Sequence, residues 1–201
     1  MKIISIEGNI GSGKSTFLNF LKQSFTNPRV CFLDEPVELW STVVDEEGVT
    51  ILENFYKDKS YSFSFQMLAY ISRLSILKKA IQSKQYDIII MERSLDTDKN
   101  VFCQMLYDKK DINQIEFTIY NRWFDEFKVN HAIEYVYLKT RPDVSFERVL
   151  KRNRTGETIP LAYLEQCHEY HENWLKYEKC LVLDANTNVL SDHFNAFIDL
   201  L

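Results

Sequence analysis

The 201-residue chain is poor in structure breakers: five glycines and four prolines leave no room for a low-complexity linker, and no segment repeats another. Its four cysteines, Cys31, Cys103, Cys167 and Cys180, are scattered without a C-x-x-C pair. That predicts reduced thiols in an intracellular, cytoplasmic setting. No apolar run approaches membrane-spanning length, and the first residues read directly as a strand without a signal-peptide pattern. Positive charge is in deficit, 24 Lys and Arg against 29 Asp and Glu, which disfavours a nucleic-acid polymer as partner. No N-K-x-D guanine-reading motif occurs, and Asp45-Glu46-Glu47-Gly48, which spells a GTPase-like D-x-x-G, does not follow a strand. Cys167, His168 and His171 fall on one amphipathic helix with no second ligand pair, a packing pattern rather than a zinc site. A hydrophobic content of 45% with 26% charged residues fits a globular chain, expected to form one domain over residues 1–201.

Against these absences stands one dense signal. Gly8-Asn9-Ile10-Gly11-Ser12-Gly13-Lys14-Ser15, followed by Thr16, fits the phosphate-loop pattern G-x-x-x-x-G-K-[S/T] at every fixed position. Ile3, Ile4 and Ile6 before it read as a buried parallel strand, and Phe17, Leu18 and Leu21 after it recur at helical spacing. Glycines let consecutive backbone N–H groups turn toward one anion, and the helix N-terminus adds partial positive charge. Lys14 then reaches the outer phosphates and Ser15 offers a hydroxyl to Mg²⁺. Binding of ATP or another nucleoside triphosphate follows.

Five apolar runs predict strands at Lys2–Ile6, Val30–Leu33, Asp87–Met91, Tyr135–Leu138 and Leu181–Leu183. Helices are predicted from Phe65 to Ile81, from Phe117 to Phe127, and from Leu161 to Leu175 after Pro160. Alternating strands and helices predict an α/β fold, a five-stranded parallel sheet with helices on both faces. Ligands in such sheets bind at the carboxyl ends of the strands. The segments there are rich in charge. Glu35-Pro36 follows strand two, and a carboxylate at that edge suits a group that accepts a hydroxyl proton. Glu92-Arg93 follows strand three, an acid able to hold Mg²⁺ directly or through water beside an arginine able to neutralise a transferring phosphoryl group. Arg148, Lys151, Arg152 and Arg154 form a basic segment that reads as a phosphate clamp, with Arg148 and Arg152 sharing a helix face. The turn after it suggests a lid over residues 148–160 that excludes water.

In this order and spacing the residues resemble the deoxyribonucleoside kinase family over almost the whole chain. The shared stretches are I-E-G-N-I-G-S-G-K-S-T from Ile6, E-P-V-E-x-W from Glu35 to Trp40, Y-K-D from Tyr56, F-Q at Phe65 and Gln66, and E-R-S from Glu92. P-L-x-Y-L-E from Pro160, H-E-x-W from His171 and V-L-D-A-N from Val182 continue the match. The resemblance implies a kinase fold, Mg²⁺ and a triphosphate donor, transfer to the 5′-hydroxyl of a deoxynucleoside, and a helix-packed homodimer. By position it implies that Glu35 serves as base at the 5′-hydroxyl with Arg93 beside it, and that Tyr56 and Glu157 hold the 3′-hydroxyl. Gln66 matches the amide that reads the base, Phe102 the ring that stacks on it, and Trp40 a pocket wall. Arg148, Arg152 and Arg154 match lid arginines, and Asp184, Ala185 and Asn186 the loop at the donor base. Gly156 stands where relatives usually carry a second acid, which implies a looser lid.

Arg73, two helical turns after Gln66, and Asp98 match the arginine–aspartate pair of deoxycytidine-kinase-like members. With an amide at Gln66 free to flip, this pair is expected to set the preference for deoxycytidine and purine deoxynucleosides over thymidine; the alternative is a purely structural ion pair. A second enzyme reading is a thymidylate-type nucleoside monophosphate kinase, but Asp34 stands where that family carries a phosphate-binding arginine and is expected to repel a monophosphate. A nucleotide switch would need Lys14 and Ser15 but not the set of Glu35, Gln66 and Arg93.

Overall fold

A computed structural model describes residues 1–154, 157–187 and 190–200. Five strands, β1 (Lys2–Glu7), β2 (Val30–Leu33), β3 (Ile88–Glu92), β4 (Ile133–Lys139) and β5 (Cys180–Asp184), form one parallel sheet in the order β2-β3-β1-β4-β5. Isoleucine pairs with isoleucine across its centre, Ile3 against Ile89 and Ile4 against Ile90, so β-branched side chains stack on both faces. One face carries Ile3, Ile89 and Met91 under Tyr70, Leu74 and Leu77 of α4 (Ser62–Ser83) and Tyr120 and Phe124 of α7 (Gln114–Phe127). The other carries Ile4, Ile6, Ile90 and Val136 under Phe17, Leu18 and Leu21 of α1 (Lys14–Ser24) and Phe197 of α10 (Leu190–Ile198). The five strands and the three long helices therefore lie where apolar periodicity puts them; β2 has the predicted bounds, β3 is shifted by one residue, and β1, β4 and β5 are longer. The boundaries matter at β3, whose last residue is Glu92, and at β5, which ends on Asp184.

Local chemistry sets the remaining boundaries. Thr50 and Glu53 form a reciprocal capping box that opens α3 (Ile51–Lys57), and Asn113 with Glu116 does the same for α7. Pro36 precedes a single helical turn, α2 (Val37–Trp40). Pro142 starts α8 (Pro142–Arg152), and Asn153 ends it in the left-handed region at φ 46°. After β3 the chain enters α5 (Leu95–Thr97), widens into a π-helical stretch at Asp98–Cys103 and closes as α6 (Gln104–Asp108). A π-helical segment costs hydrogen-bond geometry and is found mostly at functional sites.

In α9 (Leu161–Leu175), His171 is wholly buried, lies parallel to the Tyr137 ring with centroids 6.1 Å apart, and has Nδ1 2.6 Å from the Cys167 carbonyl. Burial pushes its pKa from 6.5 down to about 3, with the nearby Arg93 and Lys14 charges assisting and the Cys167 carbonyl opposing. The folded imidazole is thus neutral, and it gains a proton only on unfolding. Stability from this group is complete above pH 6.5 and falls as pH drops toward 3. Over that range we expect a loss of about 1.4 kcal/mol per pH unit from His171 alone. Urea melts of wild type and His171→Phe between those limits should show the acid slope reduced by that amount in the variant; equal slopes would refute the assignment.

Candidate functional site

A cavity of about 630 Å³ opens at the carboxyl ends of the strands. Its donor side is the loop between β1 and α1. Gly8, Gly11 and Gly13 all have positive φ, at 145°, 79° and 97°. At Gly11 a Cβ would stand 2.4 Å from the Ser145 carbonyl oxygen, so the loop needs both the conformation and the missing side chain. Asn9 donates from Nδ2 to the Leu164 carbonyl at 2.8 Å, which ties the loop to α9, and Lys14 Nζ donates to the Asn9 carbonyl at 2.7 Å. Burial, then the Arg93 charge, pushes Lys14 from 10.5 down to about 7 although Glu92 and Glu35 oppose. An incoming polyanion would supply the counter-charge this lysine lacks. Ser15 Oγ donates to Glu92 at 3.0 Å, which sets a hydroxyl and a carboxylate, both hard oxygen donors, beside the loop. Burial, then the Glu35 charge, raises the Glu92 pKa; a divalent cation there would reverse that push.

The acceptor side is built on a buried ion cluster. One oxygen of Glu35 accepts from Arg93 at 2.6 Å and from Arg73 at 3.0 Å, and Arg73 also donates to the Asp98 carboxylate at 3.0 Å. Burial alone would push the Glu35 carboxyl up; Arg93, Arg73 and Lys14 more than reverse this and hold it well below the usual carboxylate range. Burial, against the pull of Arg73, pushes the Asp98 carboxyl up. Arg93 stands in the left-handed region at φ 62°, and its Nε and Nη2 are buried without a hydrogen-bond partner among the described residues. Its guanidinium sits 5.1 Å from the centre of the Phe102 ring. Gln66 Nε2 donates to the Asp98 main-chain carbonyl at 2.8 Å. Trp40, held by Ser72 at 2.9 Å through its indole N–H, meets Phe65 edge-on, and Phe65 stacks on Phe55.

The cavity gathers residues from distant parts of the sequence. Ile10, Gly11, Gly13, Lys14, Ser15 and Thr16 line it, as do Glu35, Trp40, Tyr56, Gln66 and Arg73. So do Glu92, Arg93, Asp98, Phe102, Arg148, Arg152, Arg154, Glu157 and Asn186. Gly8, Asn9, Ser12, Asp184 and Ala185 stand behind this wall. Arg148 bridges the Ser12 and Asn186 carbonyls at 3.4 and 3.2 Å, and the Asp184 side chain fixes Asn186 at 2.7 Å. Arg152 pairs with Glu157 at 2.6 Å, and the half-buried Tyr56 lies near the same carboxylate. Residues 155 and 156, and with them the expectation of a looser lid at Gly156, lie outside the described residues.

Two expectations need correction, those for the Gln66 amide and for Asp34. The Gln66 amide is not free to flip, because a turn would set its oxygen against the Asp98 carbonyl. The pairing of Arg73 with Asp98 is present and extends to Glu35, so the residues expected to read the base and the carboxylate expected at the hydroxyl share one network. Asp34 pairs with Lys22 at 2.6 Å and is largely exposed off the cavity wall, so it does not guard against a monophosphate. Sequence reasoning also passed over Leu52, Phe55 and Tyr163 on the wall. Phe55 was within reach, being adjacent to Tyr56 in a capped helix.

A family model described as deoxynucleoside kinase matches residues 4–199. The chain is 38% identical to a Fowlpox virus (strain NVSL) protein named "Probable deoxycytidine kinase", over 87% of this chain and 72% of the relative. It is 35% identical to the deoxycytidine kinase of Homo sapiens, with coverage of 87% and 75%. With the mitochondrial deoxyguanosine kinase of Xenopus laevis it shares 34%, with coverage of 87% and 73%.

The loop geometry can be tested against a matched glycine. Gly48 has φ 80°, like Gly11, but a Cβ there meets nothing within 4 Å. Gly48→Ala is expected to cost only the backbone strain, about 1 kcal/mol, and to bind a nucleoside triphosphate normally. Gly11→Ala adds the clash with Ser145, so it should lose more stability in urea melts and bind the triphosphate at least tenfold more weakly in calorimetry, by about 1.4 kcal/mol or more. Equal behaviour of the two variants would rule out the close approach at Gly11.

Proposed function

Since the chain belongs to the deoxynucleoside kinase family, we propose that one domain over residues 1–201, with a lid at 148–160, transfers the terminal phosphate of a nucleoside triphosphate to the 5′-hydroxyl of a deoxynucleoside bound between Gln66 and Glu35. The observation that carries the assignment of roles is the shared oxygen of Glu35. With Oε1 committed to Arg73 and Arg93, Oε2 is left for the incoming hydroxyl. A carboxylate held this acidic is a weak base before reaction. It serves by orienting the hydroxyl and taking its proton late, as a loose phosphoryl-transfer transition state requires. Arg93, with two unpaired buried donors, neutralises the transferring group.

Lys14 and the loop amides hold the outer phosphates of the donor, and Arg148, Arg152 and Arg154 close over them. Ser15 and Glu92 would hold Mg²⁺, which when bound supplies charge neutralisation between the phosphates. Tyr56 and Glu157 bind the sugar 3′-hydroxyl, and Phe102 and Trp40 enclose the base. The four cysteines are free, in keeping with a cytoplasmic setting, and no helix among the described residues is long and apolar enough to cross a membrane. Ile115, Ile119, Trp123 and Phe127 form one exposed apolar stripe along α7 with Ile71 of α4 nearby in kind, which supports a helix-packed homodimer.

The fixed Gln66 amide supports a choice of base. Cytosine and adenine present a ring acceptor beside an exocyclic amine; thymine presents a ring donor beside a carbonyl. An amide that cannot turn, flanked by the Asp98 carboxylate, suits the first pattern and leaves a buried polar mismatch with the second. The proposed preference is for deoxycytidine and purine deoxynucleosides over thymidine; the amide pattern carries it for cytosine and adenine, whereas guanine presents a ring donor beside a carbonyl as thymine does, and its inclusion rests on the similarity to a mitochondrial deoxyguanosine kinase.

A panel of deoxynucleosides and deoxynucleoside monophosphates with Mg-ATP, with products separated by chromatography, tests the assignment; phosphorylation of monophosphates alone would overturn it. Glu35→Gln should lower kcat about 10²-fold or more while deoxynucleoside binding in calorimetry largely survives, and a near-normal kcat would remove Glu35 from the chemistry. Arg73→Met combined with Asp98→Ala should raise kcat/KM for thymidine relative to deoxycytidine, although absolute rates fall because Arg73 also holds Glu35. An unchanged ratio would deny the pair any part in base choice.

A further inference from the structure

Glu7 is the last residue of β1, immediately before the phosphate loop, and it is wholly buried. It makes no ion pair among the described residues. Its carboxylate instead collects three neutral donors: Ser5 Oγ at 2.6 Å, the Ser94 main-chain N–H at 3.0 Å, and the Thr97 hydroxyl. All three of those residues are fully buried as well. Lys14 and Arg93 feel its charge only through space, and a carboxylate kept dry with no cation in contact is expensive and persists only where its hydrogen bonds are met.

Those bonds end on one turn. Ser94 caps the first turn of α5, where its own hydroxyl accepts from the Thr97 N–H at 3.2 Å. The residue just before it is Arg93, whose left-handed backbone has its own N–H bonded to the Ile6 carbonyl at 3.1 Å. The last two residues of β1 therefore pin Arg93 from both sides, Ile6 through its main chain and Glu7 through its side chain. One residue beyond Thr97 is Asp98, which begins the π-helical stretch that also carries Phe102. On the other side of Glu7, Gly8 opens the donor loop.

We propose that Glu7 is a positioning residue: by anchoring the Arg93–Thr97 turn to the strand that carries the phosphate loop, it sets Arg93 and Asp98 in register with the donor site. The proposal rests on the kinase reading above. It separates Glu7 from an ordinary core contact, because loss of the anchor shifts the geometry between the two substrates more than the affinity for either. A small misplacement of reacting groups costs rate far more than binding.

The test compares full-length Glu7→Gln, Thr97→Val and Leu77→Val, the last a buried core change in α4 away from the cavity. For each, kcat, both KM values, the deoxycytidine-to-thymidine ratio of kcat/KM and the melting temperature are measured. Glu7→Gln keeps an acceptor for Ser94 but not a second one for Thr97. It should lower kcat by about tenfold or more, with the triphosphate KM nearly unchanged, and should shift the base ratio because Asp98 moves. Thr97→Val should do the same to a smaller extent. Leu77→Val should lower the melting temperature and leave kcat and the ratio as in wild type. If Glu7→Gln loses activity only in proportion to its folded fraction, with an unaltered base ratio, the positioning role is overturned. Should that variant fail to fold, an unaltered kcat and base ratio in Thr97→Val overturns it instead. Wild-type protein inactive on every deoxynucleoside overturns the kinase reading itself, a result distinct from an active wild type with an indifferent Glu7.

Discussion

Two guanidiniums share one carboxylate oxygen at the bottom of the cleft, and the acceptor half of the site depends on that contact. Arg93 and Arg73 both reach Glu35 Oε1, at 2.6 and 3.0 Å. The partners come from four separate places: Glu35 from the end of β2, Arg73 from the middle of α4, Arg93 from the end of β3 and Asp98 from the π-helical stretch. Charges this buried are costly to desolvate, and removing one partner leaves another exposed to that cost, typically about 3–5 kcal/mol. The cluster therefore constrains the fold as well as the chemistry. α4 cannot slide along the sheet without breaking Arg73 from Glu35 or Asp98.

In the proposed function, the same sharing means that base recognition and hydroxyl activation are not separate modules. Arg73 touches both carboxylates, and Gln66, two turns earlier on the same face of α4, touches the Asp98 main chain. A change that alters which base fits also alters the field at Glu35. At the phosphate loop the coupling is lighter: Arg148 joins that loop to the Asn186 loop through two long hydrogen bonds, and Arg152 pairs with Glu157. In the proposed function, closing over the donor and holding the sugar thus draw on the same ion pair.

Much of this was legible in the residues. The run Ile88-Ile89-Ile90-Met91 can hardly be anything but a central parallel strand, and the phosphate loop fixes what must stand at its neighbour's end. Glu35, Glu92 and Arg93 were readable because each follows such a strand. What escaped depends on distances between segments that no local pattern encodes. Glu7 looks like an ordinary polar strand ending until Ser94 and Thr97 fold over it. Nothing in Gln66 says that its amide is pinned by a carbonyl thirty-two residues on. Asp34 sits one residue from Glu35, yet Lys22 draws it to the outside. The α5–α6 segment hid for a different reason: its apolar residues are out of step with a 3.6-residue repeat because the helix itself is.

That widened stretch has a consequence for how the pocket can change over evolutionary time. In a regular α-helix each residue advances the face by about 100°. The extra residue held in Asp98–Cys103 therefore sets the angular phase of everything after it. Deleting one residue there would rotate Met105 and Leu106 out of the core while leaving every side chain chemically intact. Insertion or deletion of a single codon there would thus turn the cavity wall at Leu106 in one step, a change that a survey limited to point substitutions does not sample.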